Sequence, residues 1–158
     1  MKTLFLLRHA KSSWDDPRLS DHDRPLNQRG INAAIRVGKL MVERGFIPEM
    51  ILCSTSVRTR ATVDLVIEAS GFEPDIIYDD RIYEASLGDL LAVLSDHDRD
   101  RILVVCHNPG IESLIFHLTG VIEPMPTAAL AILVQTEGTE YRFRLTDVFR
   151  PRELMASD

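Results

Sequence analysis

The chain has 158 residues, 45% of them apolar and 27% charged, the balance of an ordinary globular protein rather than a disordered or fibrous one. That length suits one domain spanning the whole chain, with about the last eight residues a tail. A net charge of −6 argues against nucleic acid or an anionic membrane as partners, so any positive site must be local. The first apolar run, Leu4 to Leu7, is too short for a signal-peptide core, the longest, Ala128 to Val134, cannot cross a bilayer, and the expected location is cytoplasmic.

In chain order, Thr3 to Leu7 is a short continuous apolar run, as expected of a strand buried on both faces of a mainly parallel sheet. Ile31, Ala34, Ile35, Gly38, Met41 and Val42 then recur at helical spacing up to Gly45, a helix stop. Met50 to Cys53 is a second strand, and a second helix runs from about Ser56 to Ala69 before Gly71. Asp75 to Tyr78 is a shorter strand. Ser86 with Asp89 opens a third helix as a variant capping box, carrying Leu90, Leu91 and Leu94. Ile102 to Cys106 is a buried strand, and a helix with Ile111, Leu114, Ile115 and Leu118 follows Pro109. Ala129 to Val134 and the alternating Tyr141, Phe143 and Leu145 predict a closing strand pair, joined by a turn around Glu137 and Gly138. The order predicts a three-layer α/β/α sandwich with a mainly parallel central sheet. Cys53 and Cys106 lack Cys-x-x-Cys spacing and read as buried free thiols.

Ligands of an open parallel sheet bind beyond the carboxyl ends of its strands. Arg8 and His9 follow the first strand, Ser54 and Arg58 the second, and His107 and Asn108 the run that ends at Cys106. One histidine after a strand is ordinarily structural. Two arginines and two histidines at three equivalent strand ends, in a chain of net negative charge, point to an anion site instead. Guanidiniums, imidazoles and helix N-termini are what a phosphoryl dianion requires.

With those residues in view, Leu7-Arg8-His9-Ala10 resembles the Arg-His-Gly signature of the histidine phosphatase superfamily, the phosphoglycerate mutase-like proteins. Arg24-Pro25-Leu26-Asn27 with Gly30 is similar to its Pro-Leu-Thr…Gly segment, Cys53-Ser54 through Arg58 to Thr62 to its Ser-Pro…Arg-Ala helix start, and Val105 to Gly110 to its second histidine loop. The ordered set and the short length most resemble the SixA-like protein-phosphohistidine phosphatase branch. Ala10 and Thr55 stand where the family commonly has Gly and Pro, and Thr59, Arg60 and Ala61 also depart from its pattern.

The resemblance implies a phosphoglycerate mutase-like fold without a large cap insertion. It also implies a phosphatase in which His9 is the nucleophile, while Arg8, Arg58 and His107 bind the phosphoryl oxygens. Flanking arginine charge is expected to keep the imidazole of His9 neutral. Ser12 and Asn108 are further candidates for binding the substrate, and no metal or other cofactor is implied. Family members that act on esters use a carboxylic acid between the second arginine and the second histidine, and Glu84 is the candidate here. A phosphohistidine substrate has an easily lost imidazole and has little need of that acid. The expected partner is therefore a phosphorylated signalling protein. The alternatives are a small-molecule phosphomonoesterase acting on phosphate esters and a non-catalytic module that binds phosphate or phosphoprotein.

Asp15, Asp16, Asp21, His22 and Asp23 could suggest a metal cluster, but their irregular spacing reads better as a solvated loop near the pocket. Trp14 is expected to pack, with a place in the pocket wall or against a partner as the other reading. His97 reads as a surface residue and His117 as a structural one, while Arg150, Pro151 and Arg152 end the last strand in solvent.

Overall fold

A computed structural model describes residues 2–137 and 140–151. It contains β1 (Thr3–Arg8), α1 (Gln28–Arg44), β2 (Met50–Cys53), α2 (Val57–Ser70), β3 (Asp75–Tyr78), α3 (Leu87–Ser95), β4 (Arg101–Cys106), α4 (Gly110–Thr119), β5 (Leu130–Gln135) and β6 (Phe143–Phe149). Short 3-10 turns lie at Asp21–Asp23 and Asp80–Ile82.

Local chemistry sets the helix ends. The Asn27 side chain accepts from Gly30 N–H to start α1, and Ser56 does the same with Thr59 N–H for α2. Ser86 and Asp89 form the full reciprocal capping box of α3. The first two helices stop at Gly45 and Gly71, whose φ of 71° and 75° is left-handed backbone that a side chain would strain.

The six strands lie in the order β3-β2-β4-β1-β5-β6. β1 runs parallel to β4, with Thr3 opposite Arg101 and Arg8 opposite Cys106, and the β4–β2 and β2–β3 pairs are parallel too. β5 is antiparallel to β1, and β6 to β5. Side chains alternate across the strands. Leu4, Leu6, Ile102 and Val104 pack under α3 and α4, while Phe5, Leu7, Leu103 and Val105 pack under α1 and α2. Helices thus cover both faces, and the fold is the expected α/β/α sandwich. β3 is a largely exposed edge rather than a buried strand.

Three local expectations change. Arg8 is the last residue of β1 rather than a loop residue, and its N–H donates to the Ala129 carbonyl (3.1 Å). Tyr141 lies ahead of β6, its ring so near Gly120 that a Cβ there would approach it to 2.5 Å. His117 is exposed on α4 rather than packed. Gly138 of the expected turn and Arg152 lie outside the described residues. Cys53 and Cys106 are free and buried, and burial pushes both thiols up to about 12. Among the described residues no helix is long and apolar enough to cross a membrane.

Candidate active site

The carboxyl ends of β1, β2 and β4, three adjacent strands, converge on one cavity of about 500 Å³. Arg8, His9, Arg58 and His107 all line it. Arg58, His9 and His107 are only 6%, 7% and 8% exposed, although all three are polar. The backbone of His9 is fixed on two sides, donating to Cys106 O (3.0 Å) and accepting from Ala128 N–H (2.9 Å). Below it, Ala10 N–H donates to Thr62 Oγ1, which in turn donates to Arg58 O, so the His9 loop and the first turn of α2 are tied together.

The tautomer of His9 follows from its partner. Nδ1 lies 2.8 Å from Ala10 O, and a carbonyl can only accept, so the proton sits on Nδ1 and Nε2 carries a free lone pair. The imidazole resists protonation down to about 4, chiefly because it is buried and further because Arg58, Arg8 and Arg24 are near. Arginine charge is thus the secondary cause, not the main one.

His107 sits 5.1 Å from His9 between ring centroids. Its Nε2 is 2.7 Å from Ser54 Oγ, and its Nδ1 lies 3.5 Å from an Arg58 terminal nitrogen. A guanidinium only donates, so Nδ1 is the acceptor and Nε2–H donates to Ser54. Burial, then the nearby His9 and Arg58, lowers this imidazole to about 3. It is neutral near pH 7, and a bound dianion would favour its charged form.

Asp21 lies near the pocket as expected and is partly exposed, but it is bonded into the pocket wall rather than left to solvent. Its carboxylate accepts from Arg24 (2.8 Å), from Arg58 (3.0 Å) and from the Tyr83 hydroxyl (2.7 Å), and its backbone carbonyl accepts from Arg58 at 2.6 Å. These bonds, that of Tyr83 first, hold the carboxyl far below the usual range. Asp16 pairs instead with Arg18, and among the described residues no group of His, Cys, Asp and Glu is arranged to hold a metal ion.

Trp14 also departs from its packing expectation. It is 76% exposed, lines the cavity, and carries the Arg24 guanidinium 3.1 Å from its ring centroid. Asp21, Arg24 and Tyr83 were absent from the sequence-based site. The signals for them were the Arg24-Pro25-Leu26 segment and the acidic stretch that placed Asp21 in a loop near the pocket.

The remaining candidates are also on the wall. Ser12 Oγ accepts from Arg24. Asn108 spends its amide donors on Glu112 and on Met125 O, which also accepts from Arg8. Glu84 is exposed and sits at φ 52°, an uncommon backbone conformation for a residue with a side chain.

Comparison with known proteins shows the family and the fold. The model of the histidine phosphatase superfamily (branch 1) matches residues 4–92. An uncharacterised chloroplastic protein of Arabidopsis thaliana is 33% identical over 143 residues, which are 84% of this chain and 66% of that protein. The crystal structure of the putative phosphohistidine phosphatase SixA from Agrobacterium tumefaciens superposes with a TM-score of 0.85 at 32% identity, covering 95% of this chain and 98% of that one. Its namesake from Nakamurella multipartitia superposes at 0.79 with 27% identity, over 95% and 96% of the two chains.

Proposed function

Because this chain belongs to the histidine phosphatase superfamily, and within it to the SixA-like proteins, we propose that it is a phosphatase that works through a phosphohistidine on His9 and acts on phosphohistidine in a signalling phosphotransfer protein. The observation that carries this reading is the unprotonated Nε2 of His9, fixed by the Nδ1–H···O=C bond beside Arg8, Arg58 and His107. A binding module would need the cations but not a free nucleophile.

In the first step Nε2 of His9 attacks phosphorus and the P–N bond to the substrate imidazole breaks, its electron pair returning to the ring. With a proton already on its other nitrogen, that ring departs as neutral imidazole, and no acid need touch it. One P–N bond is exchanged for another, so the task of the site is to position the group and offset the charge on its oxygens. Arg8, Arg58 and His107 perform it, with the N-termini of α2 and α4 nearby. Water then attacks phospho-His9, the P–N bond breaks, and phosphate leaves while the imidazole regains its lone pair.

One observation favours a second reading. Glu84 lines the same cavity, where a carboxylic acid could give a proton to an alcohol leaving group. A small-molecule phosphomonoesterase would use it.

The deciding assay measures phosphate release from a histidine-phosphorylated protein and from an alkyl phosphate, using wild type, His9→Ala and Glu84→Gln. The expected result is release from phosphohistidine that falls at least about 1000-fold in His9→Ala and changes little in Glu84→Gln. Ester hydrolysis that surpasses it and falls about 100-fold or more in Glu84→Gln would establish the second reading. Release that ignores His9 would remove both.

A further inference from the structure

The cavity of about 500 Å³ is far larger than a phosphoryl group, so part of its wall must face whatever the phosphorus is attached to. The cations gather around His9. The rest of the lining includes Trp14, a large aromatic side chain that folding leaves 76% exposed. An exposed tryptophan beside a reactive centre is unusual on a soluble surface and marks a place where something flat and partly apolar is received.

The way this indole is held makes it a platform rather than a loose side chain. The Arg24 guanidinium lies against the ring at 3.1 Å and is itself locked, donating through Nε to Ser13 O (3.1 Å), through one terminal nitrogen to Asp21 (2.8 Å) and through the other to Ser12. Donors on all three nitrogens of Arg24 are thus spent within the protein, and its visible task is to back Trp14.

We propose that Trp14 is the specificity residue of this site, stacking on the imidazole ring of a phosphohistidine while the phosphoryl group lies among Arg8, Arg58 and His107. The inference rests on the phosphohistidine reading above. A flat aromatic ring gains from stacking on the indole, whereas an amine or alkyl leaving group offers no such face. A phenolic phosphate shares the planar chemistry and is the competing source of a ring.

The test compares kcat/KM for a phosphohistidine peptide, phosphoramidate and phenyl phosphate in wild type, Trp14→Ala and Trp14→Phe. The peptide-to-phosphoramidate ratio should fall about tenfold in Trp14→Ala and return to within about threefold of wild type in Trp14→Phe. An unchanged ratio in Trp14→Ala, with wild type active on the peptide, overturns the inference alone and leaves the phosphatase reading standing. Phenyl phosphate turned over faster than the peptide by wild type, and losing as much in Trp14→Ala, overturns the assignment to imidazole. A wild type that cleaves phosphoramidate but not the peptide removes the phosphohistidine reading and Trp14's role with it.

Discussion

At the scale of single residues, the two site histidines cost the fold stability in acid. Their folded values of about 4 and about 3 lie below the ordinary 6.5, so between those limits the unfolded chain binds more protons than the folded one. Stability contributed by keeping them neutral is complete above pH 6.5 and declines as pH falls toward 4. Urea unfolding should therefore show a loss on the order of 2 kcal/mol per histidine between pH 7 and pH 5, and the double variant His9→Gln, His107→Gln should flatten the difference. Asp21 has a different role. Substituting Asp21→Asn should lower kcat/KM about tenfold by releasing Arg58, yet shift stability by less than about 1 kcal/mol, because the carboxylate is 45% exposed. Steady-state kinetics beside a melt separates the two. Arg8, His9, Arg58 and His107 were legible in the sequence because each follows directly from a strand end or a helix start. The roles of Asp21 and Tyr83 were not, since Asp21 meets Arg58, and Tyr83 meets Asp21, only after a loop and a 3-10 turn fold across the pocket.

At the scale of elements, two glycines of α1 do different work. A Cβ on Gly38 would stand 2.8 Å from Val66 O and 2.9 Å from Ala69 Cβ, where α1 crosses α2. A Cβ on Gly30 would fall 2.1 Å from Lys11 O, two residues beyond His9. Gly38→Ala should lower stability by about 1 to 3 kcal/mol, read by urea unfolding, with kcat/KM held within about threefold. Gly30→Ala should lower both, because relieving its clash moves the His9 loop. The elements themselves were readable wherever capping chemistry is local: Ser86 with Asp89, Gly45 and Gly71 all stand at or beside the expected ends. Strand order was not readable, because the short runs of β2, β3 and β4 look alike and their neighbours are chosen by packing between distant segments. The edge position of β3 and the start of β6 after Tyr141 follow from that packing.

At the scale of the molecule, a chain of net charge −6 concentrates three buried or half-buried cations, Arg8, Arg24 and Arg58, around one opening. Inorganic phosphate should therefore stabilise the folded state, by about 2.7 kcal/mol at one hundred times its dissociation constant, and a thermal melt should rise accordingly. The same melt of Arg58→Ala should respond far less. The sheet order carries one more consequence, for the growing chain. β1 is made early, yet its neighbours are β4, beginning at Arg101, and β5, beginning at Leu130. A chain still on the ribosome and short of Cys106 holds the strand that leads to His9 with no partner on either side, an exposed apolar ribbon that has to wait. The pocket around His9 is thus assembled only after β4 has been made and paired with β1, late in the synthesis of each chain.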